Sequence, residues 1–213
     1  MNLLPHIPSD VGTYGSLIRQ QLTMALLSVL YGFIIAVPLA LLIVRFPKSY
    51  GPVVGVLTVV YSLPSIALFA LLVPSTGLTQ TTVIIPLSLY SLAALVPNIV
   101  DGLQGVPEDV RLAAVAMGYT GPRRLIAVDL PLAVPAIMAG LRVATVGNIS
   151  MVSVGTVIGV GAFGALFTEA AQLNRSDLAV TGIVAIVVLA LACDLLLVLT
   201  QRLLTPWNKR RSA

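Results

Sequence analysis

Long apolar runs, separated by short stretches of proline, glycine and charge, organise this chain. Approximately Leu22–Val44, Val53–Val73, Thr82–Val100, Leu132–Val160 and Leu178–Leu204 are each long and apolar enough to cross a bilayer. Crossing a core of about 30 Å takes about 20 residues at 1.5 Å of rise each. Helices are the predicted element, because an unclosed sheet leaves its backbone polar groups unsatisfied in hydrocarbon. The first three runs carry no charge, the fourth carries Arg142 and the fifth Asp194. The expected fold class is therefore all-α integral membrane, with five transmembrane helices.

Between the third and fourth runs lies the longest connection, Asp101 to Pro131. Loops beyond about 15 residues usually carry structure or function, and this one predicts two short helices. Pro107, Glu108 and Asp109 suit a helix start, where acids meet exposed amides and the positive end of the dipole. Ala113, Ala114, Ala116 and Met117 continue the helix and Gly118 stops it. Thr120 is placed to cap a second helix that carries Arg123 and Arg124 and ends before Leu130-Pro131. Such a helical pair reads either as a docking surface or as an ordered connector.

Charge orients the spans. With the N-terminus outside, Arg45, Lys48, Arg111, Arg123, Arg124, Arg202, Lys209, Arg210 and Arg211 fall on the cytoplasmic side, against Arg19 and Arg175 opposite. Nine against two predicts N-out, C-in by the positive-inside bias, with the long loop in the cytoplasm. Composition agrees: 58% of the 213 residues are hydrophobic and 9% charged, with a mean hydropathy of +1.03. Soluble domains carry about a quarter charged residues, so a soluble enzyme is excluded. Residues Met1–Ser16 hold no basic residue and no apolar core, so no cleavable signal is expected there. The lone Cys193 allows no internal disulfide.

Catalytic chemistry finds few candidates. The single histidine, His6, precedes every span, Asp194 has no second intramembrane carboxylate beside it, and no cluster has metal-ligand spacing. Gly159-x-Gly161-x-x-Gly164 matches a dinucleotide fingerprint in letters but has no βαβ surroundings, so it reads as a flexible helix end. No phosphate-binding loop occurs and the lysines are Lys48 and Lys209, so any ATP hydrolysis belongs to another chain.

Charges inside spans are expensive, about 3 kcal/mol each unless paired or hydrated. Arg142 follows Leu132 by ten positions and Asp194 precedes Leu204 by ten. Both lie about 15 Å from the cytoplasmic boundary, so they are expected to pair. At 100° per residue, Arg142, Thr145, Ser153 and Thr156 fall within an arc of about 80°, with Asn148 and Ser150 outside it. That stripe predicts a path lining or an interhelical hydrogen-bonding face. Pro64, with Tyr61, Ser62 and Ser65 around it, predicts a kinked second span with freed carbonyls, a feature of transport sites and of plain bends alike. Tyr61, Ser62, Pro64, Ser65, Arg142, Thr145, Ser153, Thr156 and Asp194 are the candidate pathway or gating residues.

Several stretches together resemble one family. Leu112-Ala113-Ala114-Val115-Ala116-Met117-Gly118, followed nine residues later by Val128-Asp129-Leu130-Pro131, resembles the cytoplasmic EAA signature of bacterial ABC-importer permeases. Leu112 stands where that signature has Glu, which removes one expected polar contact. Tyr61–Leu68, Gly102–Val106 and the Gly159–Gly164 turn are similar to the glycine betaine/carnitine/choline (osmoprotectant) branch. The resemblance implies a transport subunit of the bacterial cytoplasmic (inner) membrane rather than an enzyme. Residues 1–21 would form an extracytoplasmic segment, 22–204 the permease domain with its coupling loop at 101–131, and 205–213 a basic cytoplasmic tail. It also implies coupling to the ATPase through Glu108, Asp109, Leu112, Ala113, Ala114, Met117, Gly118, Arg123, Arg124, Leu130 and Pro131. The implied partners are a second permease copy, identical or paralogous, two ATP-hydrolysing subunits and an extracytoplasmic substrate-binding protein. No cofactor is expected on this chain, ATP-Mg being held by the ATPase, and no nucleic acid.

Quaternary amines are usually selected by aromatic cages. With aromatics at 6% and no evident cluster, selectivity is expected to belong to the binding protein. A methionine-type permease is the alternative, and a non-transport membrane scaffold or a secondary transporter a more distant one.

Overall fold

The computed structural model describes residues 11–206; His6 and the basic residues Lys209, Arg210 and Arg211 lie outside them. The described residues are all-helical: α1 Val11–Arg45, α2 Tyr50–Ser62, α3 Ser65–Thr76, α4 Gln80–Gln104, α5 Glu108–Ala116, α6 Gly121–Arg124, α7 Leu130–Val152, α8 Gly164–Leu173 and α9 Ser176–Leu204. The central helix is α4, which packs against α1, α7, α2 and α3, while α9 leans on α7 and α8 from outside. One core cluster, around Met24, Phe69, Leu87, Ile149 and Phe163, fills the end that holds α8. A second, around Ile43, Leu95, Ile99 and Leu103, fills the end that holds α5.

Four helices are long and apolar enough to cross a membrane, and a bent pair makes a fifth candidate span. That pair corrects the expectation of a kinked but continuous second span. The helices α2 and α3 meet at 86°, because Leu63, pushed out of the helical region by the proline that follows it, is extended with ψ 139°. Pro64 is extended too, so two residues separate the helices. The break strands the Leu63 carbonyl, and the Tyr90 hydroxyl donates to it at 2.6 Å.

The fourth span starts earlier than expected, and near its expected end it changes form. The second loop helix does not stop before Leu130-Pro131, since helical backbone runs without interruption from Gly121 to Ile158. Over Leu125–Asp129 it widens into a π turn in which the Leu130 amide reaches the Leu125 carbonyl. Pro131 has no N–H to give the α ladder at this point, and a wider turn accommodates the gap. At the other end α7 stops at Val152 and tightens into a 3₁₀ stretch, Ser153–Ile158.

Two further features depart from expectation. The Gly159–Gly164 turn is tightly packed rather than loose: a Cβ at Gly161 would collide with Thr156, and one at Gly164 with the Ser153 carbonyl. After it comes α8, too short to register as a span, whose Leu166 and Ala170 are buried beside Leu178, Gly182 and Ile186 of α9. Helix α1 also begins at Val11, well before the expected start of the first span.

Candidate functional site

Three gatherings of polar residues bear on function, and the first is the α5 end. The first turn of α5 holds Glu108 and Asp109, favourable to the helix dipole. The helix ends in a left-handed glycine, Gly118 at φ +82°. The Gly118 amide donates to the Val115 carbonyl and the Tyr119 amide to that of Ala114, which satisfies the last turn. Ala114 is buried, whereas Leu112, Ala113, Val115 and Met117 point outward, Met117 with 70% of its surface exposed. Ile126, on the π turn, is equally open.

An ion triad fixes this end. The Asp129 side chain, 7% exposed, lies 3.3 Å from the Arg124 guanidinium and 3.6 Å from that of Arg111. Arg111 also donates to the Leu103 carbonyl at the close of α4. Arg124 thus turns inward, and Arg123 stacks over the Tyr119 ring at 4.9 Å. Thr120 precedes α6 without a capping side-chain bond. Leu130 and Pro131, half-buried, open α7. Arg111 and Asp129 are not among the candidate residues from sequence. An acid amid Val128 and Leu130, with arginines nearby in the loop, was the available signal.

The second place is the seam between α7 and α9, where Arg142 and Asp194 meet with 37% and 26% of their side chains exposed. Nε donates to one carboxylate oxygen at 2.6 Å and Nη2 to the other at 2.8 Å, a bidentate bridge between α7 and α9. The rest of the expected stripe disperses. Thr145 is buried within the bundle. Ser153 accepts from the Gln21 amide at 3.4 Å, and the Thr156 hydroxyl pairs with Thr168 of α8 at 2.9 Å. The change from 3.6 to 3.0 residues per turn after Val152 scatters these positions. Gln21, buried in α1, was missed: its amide donates to the Ile149 carbonyl at 2.6 Å and its carbonyl accepts from the Phe163 amide.

The third place lies beside the bend. Ser62 and Pro64 are exposed and Ser65 half-buried, with the Ser62 hydroxyl bonded back to the Thr58 carbonyl. Tyr61, half exposed, meets Tyr90 edge-on, ring centroids 5.5 Å apart and planes at 68°. The two rings therefore form a pair that is not evident from the sequence. The hairpin from α2 and α3 into α4 brings together rings 29 positions apart. A cavity of about 330 Å³ opens here between α2, α4 and α7. Ser91 and Asn148 line it, joined by an amide-to-hydroxyl bond of 2.9 Å. Among the described residues no group of His, Cys, Asp and Glu could hold a metal ion.

Known proteins place the chain. The solved MetNI methionine ABC transporter, in an inward-facing conformation, shares this fold with a TM-score of 0.80 over 92% of this chain and 97% of its own, at 20% identity. The choline transport system permease protein OpuBB of Bacillus subtilis is 30% identical, over 90% of this chain and 88% of its own length. The osmoprotectant import permease protein OsmW of Salmonella typhimurium is 34% identical over 97% and 98%. The family described as binding-protein-dependent transport system inner membrane component matches residues 20–210. The chain belongs to that family: it is a membrane-spanning permease subunit of an ABC importer, a transport component without catalysis of its own.

Proposed function

We propose that this subunit forms the translocation pathway of an importer for quaternary-ammonium osmoprotectants such as glycine betaine, choline or carnitine. The observation that carries the substrate class is the set of relatives over most of the chain, named for choline, for glycine betaine/carnitine/choline, and for osmoprotectants. The methionine transporter shares the fold at 20% identity and speaks for architecture alone.

In this reading the N-terminus is outside and the C-terminus inside. The gathering of Arg45, Lys48, Arg111, Arg123, Arg124 and Arg202 at the α5 end supports it. Segment 101–131 is the cytoplasmic coupling loop of a permease domain spanning 22–204, flanked by an outer segment, 1–21, and a basic tail, 205–213. The open apolar side chains of Leu112, Val115, Met117 and Ile126 support a docking role, because a water-facing end has no other use for them. With Leu112 in place of the signature's Glu, the contact leans on apolar burial. Glu108, Asp109, Ala113, Ala114, Gly118, Arg123, Arg124, Leu130 and Pro131 complete or shape that surface. The assembly has a second permease copy, two ATPases holding ATP-Mg and an extracytoplasmic binding protein. The bend at Tyr61–Ser65 and the residues Arg142, Thr145, Ser153, Thr156 and Asp194 belong to the pathway or its gate.

The test is uptake of labelled glycine betaine, choline, carnitine and methionine by cells lacking the chain and by complemented cells. Chain-dependent uptake of a quaternary amine is expected; uptake of methionine alone overturns the substrate class. The double variant Ala113→Glu, Gly118→Pro is expected to lose co-purification with the ATPase, and retained association overturns the docking role.

A further inference from the structure

The cavity between α2, α4 and α7 has a lining suited to one kind of solute. Its wall contains two tyrosines, two small hydroxyl side chains, one amide and apolar groups, and no charged side chain. A primary ammonium or a metal ion would need acceptors arranged around it. A fully alkylated nitrogen has no N–H to satisfy and spreads its charge over methyl groups, so aromatic rings and apolar walls suffice to hold it. We propose that this cavity is a transit site for the trimethylammonium head of the substrate, with Tyr61 and Tyr90 meeting the head and Asn148 receiving the polar tail. The proposal rests on the osmoprotectant reading and adds a site to it.

Four observations carry it. Tyr90 is held in place, its hydroxyl spent on the carbonyl that the helix break exposes. Tyr61 packs edge-on against it while remaining 50% exposed, so its ring is open to a visitor. Asn148 lines the cavity at 3% exposure; its amide nitrogen gives one hydrogen to Ser91, and an amide carries a second that a carboxylate or hydroxyl can accept. The volume, about 330 Å³, lies at the small end of the roughly 300–1,000 Å³ range of ligand pockets. A zwitterion that presents its cation to the rings and its anion to the amide carries no net charge into the apolar interior, which keeps the charge penalty small. Two rings instead of a full cage give a weak site, suited to passage rather than capture.

The experiment uses the assembled transporter in proteoliposomes, with its ATPase, partner permease and binding protein. Uptake of labelled glycine betaine is measured alongside ATP hydrolysis stimulated by the loaded binding protein, for wild type, Tyr61→Phe and Tyr61→Leu. Tyr61→Phe keeps the ring and is expected to stay within about twofold. Tyr61→Leu is expected to lower solute moved per ATP by about thirtyfold, the size of a desolvated cation–π contact. Uptake within about twofold in Tyr61→Leu overturns the site. So does an equal fall of uptake and hydrolysis in both variants, because that marks a structural role. Should the wild type move no quaternary amine at all, the osmoprotectant reading fails, and the ligand assigned to this cavity fails with it.

Discussion

Helices α4 and α9 both cross the bundle, and the more apolar of the two is the less buried. The apolar stretch of α9 is 17% buried and that of α4 67%. In α9 the buried residues are Leu178, Gly182, Ile186 and Ala190, a single file four residues apart. On α4 burial covers most of the circumference and includes Thr82, Ser88 and Ser91. The difference follows from the solvent. Lipid is as apolar as leucine, so nothing drives the α9 leucines and valines inward, and the centre is held by close backbone approach and interhelical polar contacts. Gly140 of α7 sits against Asn98 and the Ala94 carbonyl of α4, and Asn148 bonds across to Ser91. In this molecule hydropathy marks the outside, and the small and polar residues mark the inside.

The strongest way to break that contrast is to add bulk at the α4 contact. A Cβ at Gly140 would stand 2.8 Å from the Asn98 Cβ and 3.3 Å from a backbone oxygen. Gly140→Leu is expected to exceed the about 3 kcal/mol upper end of ordinary overpacking, seen as loss of monodisperse protein in detergent. Next comes the bridge that ties α9 inward. Asp194→Asn leaves Arg142 unpaired and is expected to lower the thermal stability of the detergent-solubilised protein. The exchange Arg142→Asp with Asp194→Arg is expected to recover part of it, and a double variant no better than the singles would sever the bridge from stability. At the α5 end, Arg111→Ala removes a partner from both the Leu103 carbonyl and buried Asp129, about 1–3 kcal/mol, measured as faster proteolysis between α5 and α7. Gly118→Ala forces a side chain into the left-handed region for about 1 kcal/mol, read as faster amide exchange in the last turn of α5. Smallest of all, Val188→Leu on the open face of α9 is expected to stay within about 0.5 kcal/mol in thermal unfolding.

The same contrast explains what the sequence could reveal. Span-length apolar runs are conspicuous, and within them so is any charge, which is why Arg142 and Asp194 are legible as partners from sign and depth alone. Gly118 is legible as a stop because few residues accept its backbone conformation. The break after Leu63 is harder to foresee: a proline inside a span usually kinks it, and a full bend depends on a partner for the freed carbonyl. That partner, Tyr90, lies 27 residues away. Helix α8 escapes detection because it is ten residues long and follows a glycine-rich turn. The Tyr61–Tyr90 pair and the Asn148–Ser91 bond were invisible for a simpler reason. Each joins residues on different helices, and periodicity speaks only of neighbours on the same one.

The unbroken helical backbone from Gly121 to Ile158 has a mechanical consequence. Its 38 residues make a rod of about 57 Å at 1.5 Å per residue, anchored at one extremity by the Arg111–Asp129–Arg124 triad and projecting to the opposite mouth of the bundle. Such a rod is a lever: turning it as a rigid body by about 10° at Asp129 sweeps its far tip, about 44 Å away, through about 8 Å. The π turn sits close to the fulcrum, where a one-residue slip in register changes the direction of the throw more than its reach.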